Sequence, residues 1–167
     1  MIVNNIFLGE NVNIETSAHI NNVRIGNNSK IAGNVKIFGS AENILVVGED
    51  CYVGANTILE GFNAKVTIGK NVSFAQNVNL MSGSGPNASE ALQIIFPIVK
   101  GEIVIGNDCW IGASSIIMPN VQLGDFCIVA ANSFVNKQFP SYSIIGGTPA
   151  KLIRKLTQFE IDKILAK

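Results

Sequence analysis

The sequence has few charged residues and little that could hold a metal ion. Charged side chains make up 14% of the 167 residues and the formal net charge is zero. Composition therefore gives no reason to expect a nucleic acid or an anionic membrane as partner. The chain has one histidine, His19, and no Cys-x-x-Cys pair. This argues against structural zinc and excludes a zinc site built from three histidines, so we expect no metal.

The chain also lacks a long hydrophobic run. No segment approaches the roughly 18 apolar residues of a membrane-spanning helix. Residues 1–9 lack the basic flank and apolar core of a secretory signal. We therefore expect no membrane partner and a cytoplasmic location. At 167 residues the chain is long enough for one ordinary domain with its own core.

What the sequence does contain is an apolar residue at every sixth position, in sets of three. The series is Leu8, Ile14, Ile20; Ile25, Ile31, Ile37; Val47, Val53, Leu59; Ile68, Phe74, Leu80; Ile105, Ile111, Ile117; and Leu123, Val129, Val135. Six is not a multiple of the helical period, so this is not an amphipathic helix. The pattern is typical of short strands separated by corners, three to a triangular coil. We expect an all-β solenoid of six coils stacked about 4.8 Å apart, with these side chains buried.

Residues that favour tight turns follow the periodic positions. Glycine often comes next, and Asn or Asp follows two residues later, at Asn28, Asp50, Asn71 and Asp108. These residue types tolerate the positive φ of a tight corner. A small or thin side chain comes four places after the first apolar residue of each coil. These predict an inward-facing file of Val12, Ser29, Cys51, Val72, Cys109 and Cys127. We interpret the cysteines as buried packing residues rather than as a disulfide or metal pair.

One break in the repeat is much longer than the others. The step from Leu80 to Ile105 is 25 residues, which predicts a loop over residues 82–104 ejected from one corner. Long loops of this kind are usually functional or disordered.

The C-terminal tail leaves the repeat. Thr157 precedes Glu160 with the spacing of a capping box, so we expect a short helix over 158–166. The sequence thus predicts a solenoid over 1–140 and a tail over 141–167. In this interpretation the helix covers the open end of the solenoid, where strand edges would otherwise aggregate.

The run from residue 105 to residue 155 resembles the hexapeptide-repeat acyltransferases, in particular the xenobiotic, galactoside and maltose O-acetyltransferases. The resemblance rests on Trp-Ile-Gly at 110–112, Ile-Met-Pro-Asn-Val at 117–121, Ala-Ala-Asn-Ser at 130–133 and Gly-Gly-Thr-Pro-Ala-Lys at 146–151. It implies a left-handed parallel β-helix and a homotrimer with active sites between subunits. It also implies acetyl transfer from acetyl-CoA to a small-molecule acceptor, a sugar or amino sugar of the surface-polysaccharide or nucleotide-sugar type.

The resemblance also assigns candidate site residues. The family's contacts with acetyl-CoA fall on Ala113, Ala131, Asn136, Lys137, Lys151 and Arg154. The two alanines would leave room for the pantetheine arm, and Lys151 and Arg154 would meet the nucleotide phosphates. Residues expected in the substrate cleft are Ser82, Ser84 and Trp110.

The histidine that serves as the family's base has no counterpart here. Its position falls on Gly85 or Pro86, neither of which can accept a proton, and His19 lies three coils away. A positioned base typically contributes about 10²–10⁴-fold to the rate. Three interpretations stay open: acetylation of an amine, which attacks in its neutral form; use of Glu90 as a substitute base; or a catalytically weak structural or binding subunit. The sequence does not identify the acceptor.

Overall fold

The structure is a computed structural model that describes residues 4–166. Each of the first four coils has three short strands: β1 (Ile6–Leu8), β2 (Asn13–Ile14), β3 (His19–Asn21); β4 (Val23–Ile25), β5 (Lys30–Ile31), β6 (Lys36–Gly39); β7 (Leu45–Val47), β8 (Tyr52–Val53), β9 (Ile58–Gly61); β10 (Val66–Ile68), β11 (Ser73–Phe74), β12 (Asn79–Met81). The loop holds β13 (Gly83–Ser84), α1 (Glu90–Gln93) and β14 (Val99–Lys100). The last two coils are β15 (Ile103–Ile105), β16 (Trp110–Ile111), β17 (Ile116–Ile117); β18 (Gln122–Leu123), β19 (Ile128–Val129), β20 (Phe134–Val135). The tail forms β21 (Ser143–Gly146), β22 (Lys151–Lys155) and α2 (Gln158–Leu165).

Strands at the same place in successive coils pair in parallel and build three sheets. The first sheet has the order β1-β4-β7-β10-β15-β18, the second β2-β5-β8-β11-β16-β19-β21-β22, and the third β3-β6-β9-β12-β17-β20. The exception to parallel pairing in these sheets is β22, which runs antiparallel to β21. The first corner joins the first sheet to the second, the second corner joins the second to the third, and the third corner leads to the next coil. This is the predicted left-handed parallel β-helix of six coils.

The core lies between the three sheets. Every periodic position of coils two to six is buried, and Phe74 is among the largest fully buried side chains. The prediction is wrong for the first coil, where Leu8 is 49% exposed and Ile14 and Ile20 are half-buried. Among the described residues this coil has a stacked neighbour on one side only, so its apolar side chains are only partly covered.

Asparagine and aspartate shape the first corner as predicted. Asn28, Asp50, Asn71 and Asp108 have φ values of 57°, 56°, 56° and 56°, the left-handed region that these residues tolerate better than most. Their side chains also bond from coil to coil. Asn28 Nδ2 donates to Asp50 Oδ1 at 3.1 Å, and Asn71 Nδ2 donates to Asp108 Oδ1 at 3.1 Å. Gly26 has no room for a side chain, because a Cβ would lie 2.5 Å from a backbone nitrogen of the next coil.

The inward file beneath this corner is also confirmed from the second coil onward. Its members are buried, and the three cysteines are free. The hydroxyl and thiols donate to carbonyls of the next coil: Ser29 Oγ to Gly48 O at 3.0 Å, Cys51 Sγ to Gly69 O at 3.2 Å and Cys109 Sγ to Gly124 O at 3.2 Å. Small polar side chains therefore satisfy backbone groups that face the core.

The loop is shorter than the predicted 82–104. Strand β15 begins at Ile103, which pairs with Val66 in the first sheet and is fully buried. The loop proper therefore ends at residue 102. Ile103 and Ile105 both point into the core because strand side chains alternate, and only the second of them belongs to the six-residue series.

The C-terminal tail differs from the prediction in what covers the solenoid. Helix α2 forms with its capping box, but none of its residues is buried, so it does not cap the core. The end is covered by the preceding segment, in which Phe139, Ile145 and Ala150 are buried. Strands β21 and β22 extend the second sheet past residue 140. Within residues 4–166, neither helix has the length and apolar character needed to span a membrane.

Substitution of the largest core side chain tests this packing. Phe74→Ala should lower the free energy of unfolding by about 3–5 kcal/mol, because it removes buried apolar surface and leaves a cavity. Tyr52→Ala, on the outer face of the neighbouring strand and 47% exposed, should change it by less than about 1 kcal/mol. Urea denaturation of both variants gives the comparison, and equal effects would contradict the assignment of inner and outer faces.

Candidate functional site

The long loop leaves the third corner of the fourth coil and closes on itself at its base. Strands β13 and β14 pair antiparallel, with Gly83 opposite Lys100. The amide of Gly101 donates to the carbonyl of Ser82 at 3.0 Å. These bonds fix both ends of the loop beside the third sheet.

A depression of about 380 Å³ lies on the outer face of the third sheet, next to the loop base. The residues that line it include two aromatic residues, Phe38 and Phe62, three asparagines, Asn63, Asn79 and Asn87, and one acidic residue, Glu60. Apolar surface with a few convergent polar groups is the usual composition of a small-molecule site. The depression is therefore a candidate site for a small polar ligand.

Glu60 is held in this depression by hydrogen bonds from two turns. The amide of Phe62 donates to Glu60 Oε1 at 2.5 Å, and the amide of Ser82 donates to Oε2 at 2.8 Å. The Ser82 hydroxyl lies 3.2 Å from both carboxylate oxygens. It accepts in turn from the amides of Asn63 at 3.0 Å and Ala64 at 3.2 Å. The carboxylate is thus fixed by neutral donors.

The three residues expected in the substrate cleft do not come together. Ser82 is fully buried, and its hydroxyl and amide hold Glu60, so its place in the substrate cleft stays a prediction. Ser84 is half-buried in β13, whereas Trp110 is 56% exposed on the outer face of the second sheet. That sheet does not border the third corner, so Trp110 and the loop base do not meet in one chain.

The position of the family's base offers no titratable side chain. Gly85 has no room for one, since a Cβ there would lie 2.8 Å from Cα of Ile98 across the loop. Glu90 is exposed in the first turn of α1 and does not line the depression. His19 is exposed on strand β3 of the first coil.

The second corner brings the two predicted alanines together. Ala113 and Ala131 occupy the same place in successive coils, and the amide of Asn132 donates to the carbonyl of Ala113 at 2.9 Å. Ala113 is half-buried and Ala131 is exposed. A Cβ on Gly112 would lie 2.5 Å from the amide nitrogen of Ala131. The corner therefore presents a narrow strip of small residues.

The turn before β22 stacks on this strip. The amide of Phe134 donates to the carbonyl of Gly147 at 2.9 Å, and the amide of Gly147 donates to Ser133 Oγ at 3.2 Å. Lys151 follows the turn, is exposed, and forms no ion pair within the described part of the chain. Lys151 thus lies opposite Gly146, at the end of the turn that stacks on this strip.

The other predicted cofactor contacts are arranged differently. Asn136 and Lys137 are exposed on the third corner, where the Lys137 ammonium lies 5.5 Å from the centre of the Phe139 ring. Arg154 is bound to Glu160 by two hydrogen bonds of 2.7 and 2.9 Å. A phosphate would have to displace this carboxylate, so a role for Arg154 in phosphate binding stays a prediction.

Within residues 4–166, no group of three His, Cys, Asp or Glu side chains could hold a metal ion. The candidate functional residues described above lie at two separate places. The strip of small residues lies along the second corner, and the depression with the loop lies beside the third corner. The third sheet stands between them.

Comparison with known proteins agrees with this architecture. Residues 102–137 match the family described as bacterial transferase hexapeptide (six repeats), and residues 44–73 match the hexapeptide repeat of succinyl-transferase. Both family models describe the six-residue repeat of this chain. Its repeats are the periodic positions that fill the three sheets.

Curated relatives are acetyltransferases matched over part of their length. The chain is 54% identical over 65 residues to a probable macrolide acetyltransferase from Lysinibacillus sphaericus, covering 39% of this chain and 35% of that protein. It is 33% identical over 116 residues to the putative colanic acid biosynthesis acetyltransferase WcaF from Escherichia coli, covering 70% and 61%. Galactoside O-acetyltransferase from Escherichia coli is 35% identical over 111 residues, covering 66% and 53%. Each match spans less than two thirds of the relative.

Solved structures share the fold over most of the chain. AntD, an N-acyltransferase from Bacillus cereus solved in complex with dTDP and 3-hydroxybutyryl-CoA, has a TM-score of 0.80 at 23% identity, covering 95% of this chain and 87% of that chain. Galactoside acetyltransferase in complex with coenzyme A has a TM-score of 0.62 at 25% identity, covering 93% and 67%. The AntD likeness, at this identity, shows the fold alone.

Glu60 is the site residue that sequence reasoning missed. The strand register could have indicated it. Glu60 directly follows the periodic Leu59 and pairs with Met81 on the next coil, where the loop begins. A search for a base within the first half of the loop finds only the carboxylate of Glu90. Stacking brings side chains from the preceding coil to the loop base as well.

The ion pair in the tail predicts a pH dependence. The Arg154 guanidinium, aided by Thr157, lowers the pKa of Glu160 from 4.5 to about 2. Because the pKa is lowered in the folded chain, the contact is fully present above pH 4.5 and is lost as pH falls through about 2.

Arg154→Ala should raise the pKa of Glu160 part of the way back to its ordinary value, since the bonds from Thr157 remain. NMR titration of the Glu160 carboxyl measures this change, with Lys155→Ala as the control that leaves the pKa low. An ordinary pKa for Glu160 in the unaltered protein would contradict the ion pair.

Proposed function

We propose that this protein is an acetyl-CoA-dependent acetyltransferase that acts on a sugar or amino sugar. The observation that carries the proposal is the strip of small residues on the second corner, which ends at the free cation of Lys151. The acetyltransferase relatives support the same activity. The proposal includes a cytoplasmic location, because the enzyme would draw on acetyl-CoA.

The second corner fits an extended cofactor arm. Ala113 and Ala131 carry the smallest side chains that have a Cβ, and Gly112 between the two coils has no room for one. A thin chain could lie along this strip without displacing side chains. Lys151 would then pair with a phosphate by a charge-assisted hydrogen bond. Asn136 and Lys137 lie on another corner, so they would act on a cofactor held by a different copy of the chain.

We include a homotrimer in the proposal because the predicted cofactor contacts lie on two different corners of the chain. The strip and the loop lie on opposite edges of the third sheet, and ligand sites are concave. If copies pack side by side, the strip of one copy can face the loop of the next and form a cleft. The site would then be complete only in the assembly.

The acceptor class follows from the relatives and from the depression. Galactoside O-acetyltransferase and WcaF are named for galactosides and colanic acid, and a variant of AntD has been solved with dTDP-4-amino-4,6-dideoxyglucose and coenzyme A. The depression supplies rings and amides suited to a polyhydroxyl ligand. We therefore place surface-polysaccharide and nucleotide-sugar acceptors first.

Amines are the favoured nucleophiles within this class. Neither Gly85 nor Pro86 can act as base, and the loss of a base removes about 10²–10⁴-fold of rate. A hydroxyl needs that help, whereas a neutral amine can attack a thioester unaided. Glu90 is exposed outside the depression, which weighs against it as a substitute. A catalytically weak binding subunit is the second candidate, favoured by the lack of space for a base at Gly85.

Lys151→Ala tests the cofactor corner. The substitution should weaken binding of coenzyme A about 10- to 100-fold, because a hydrogen bond to a charged group contributes about 1.5–3 kcal/mol. Lys70→Ala, at an exposed position on the first corner, should leave binding unchanged. Calorimetric titration with coenzyme A gives both values. Absence of binding to the unaltered protein would overturn the proposed function.

An acceptor screen tests the chemistry. With acetyl-CoA, thiol release should be faster with amino sugars than with neutral sugars. Pro86→His should raise turnover of neutral sugars by at least about tenfold, since it supplies a base at the loop position next to Gly85. Gly85→His should not, because its Cβ would collide with the backbone at Ile98.

Two outcomes of this screen would contradict the account. Fast acetylation of neutral sugars by the unaltered protein, unaffected by Glu90→Gln, would mean that another base is present. Binding of acetyl-CoA without turnover of any acceptor would favour the binding-subunit alternative.

A further inference from the structure

Within residues 4–166, no cationic side chain pairs with the carboxylate of Glu60. It is half-buried, and the ion pair found among residues 4–166 joins Arg154 to Glu160, far along the sequence. Charged groups withdrawn from water are normally paired with an opposite charge. The carboxylate at the depression instead meets only backbone amides and one hydroxyl. A cation is what this site lacks.

The carboxylate retains capacity for another bond. A carboxylate offers about four acceptor positions, and Glu60 has three donors within the chain: the amides of Phe62 and Ser82 and the hydroxyl of Ser82. These donors come from the turn and the loop base. Glu60 also lines the depression, so we assign the remaining acceptor position to a ligand there.

The rest of the depression suits a ring-sized polar molecule. Its volume of about 380 Å³ is near the lower end of the range for small-molecule pockets. Phe62 is 60% exposed and offers an apolar face, and the half-buried Asn63 and Asn79 offer amide donors and acceptors. One sugar ring fits this volume better than a whole nucleotide sugar.

We propose that the depression binds the acceptor through its protonated amine, with the ammonium paired to Glu60 and the sugar ring against Phe62. The inference rests on the proposed function, because that function makes the bound molecule an acceptor. Binding of the molecule can be measured without cofactor and without turnover. The ammonium must pass one proton to water before its nitrogen can attack. Binding is therefore strongest below the pKa of the amine, and transfer is favoured above it.

The test compares glucosamine with glucose, which has the same ring without the charge. Titration of the ¹⁵N-labelled full chain at about pH 6 should move the amide signals of Phe62 and Ser82. Glucosamine should bind at least about tenfold more tightly than glucose, as expected for a charge-assisted contact. At about pH 9.5, above the pKa of about 8 that such amines have, the preference should disappear.

Three variants separate charge from structure. Glu60→Gln should abolish the preference for glucosamine at the lower pH. Ser82→Ala loosens the same turn but keeps the carboxylate, so the preference should persist even if both sugars bind more weakly. Glu49→Gln, at an exposed position on the first corner, should change nothing. A role that is only structural predicts the same result for Glu60→Gln and Ser82→Ala, and that result would overturn the inference.

The unaltered protein tests the inference by itself if Glu60→Gln fails to fold. Equal binding of glucosamine and glucose at the lower pH, a preference that survives at the higher pH, or no shift at Phe62 and Ser82 would each overturn the inference. Coenzyme A titration in parallel keeps the two proposals distinct. Binding of coenzyme A without binding of glucosamine would overturn this inference and leave the proposed function standing. Binding of glucosamine without binding of coenzyme A would overturn the proposed function and leave the binding of an amine at Glu60 standing.

Discussion

Hydrogen bonding between equivalent positions of successive coils is the constraint on which the rest of this structure depends. The amides of Gly48, Tyr52 and Ile58 donate to the fourth coil at 2.8–2.9 Å, one on each side of the triangle. At this spacing a residue lies directly above its counterpart, so each position along the axis must hold side chains that fit one another. The buried series, the positive-φ asparagines and the small inward file are three results of the same requirement.

That requirement explains which parts of the fold could be predicted from the sequence. Periodicity predicted the core of coils two to six because each apolar side chain is enclosed by copies above and below. It failed at Leu8, which lacks that enclosure, and at Ile103, whose burial follows from strand alternation rather than from the period of six. Helix α2 was predicted by its capping box, a local signal. Whether a helix covers the core depends on distant partners, and here Phe139 and Ile145 already occupy that place.

The candidate site shows the same division. Stacking of Ala113 on Ala131 follows from a separation of one coil and could be predicted. The bond between Glu60 and Ser82 was missed, because it joins third-corner turns of different length in successive coils, although the register of Glu60 with Met81 could have indicated it. Likewise, nothing in the spacing of Arg154 and Glu160 shows that the arginine bonds to the helix. Pattern reasoning misses side-chain contacts that depend on the path of a corner or of the tail rather than on the repeat.

Every change in coil length falls on the third corner. The pairs Ile20 and Ile37, Ile37 and Leu59, Leu59 and Leu80, and Leu80 and Ile117 all keep their register while the chain between them grows or shrinks there. The other two corners keep their length throughout. A lineage can therefore lengthen, shorten or replace the segments around the depression without disturbing the bonds of the three long sheets. Recognition of new molecules can therefore evolve separately from folding. The third corner can change in length and sequence while the first and second corners keep their length.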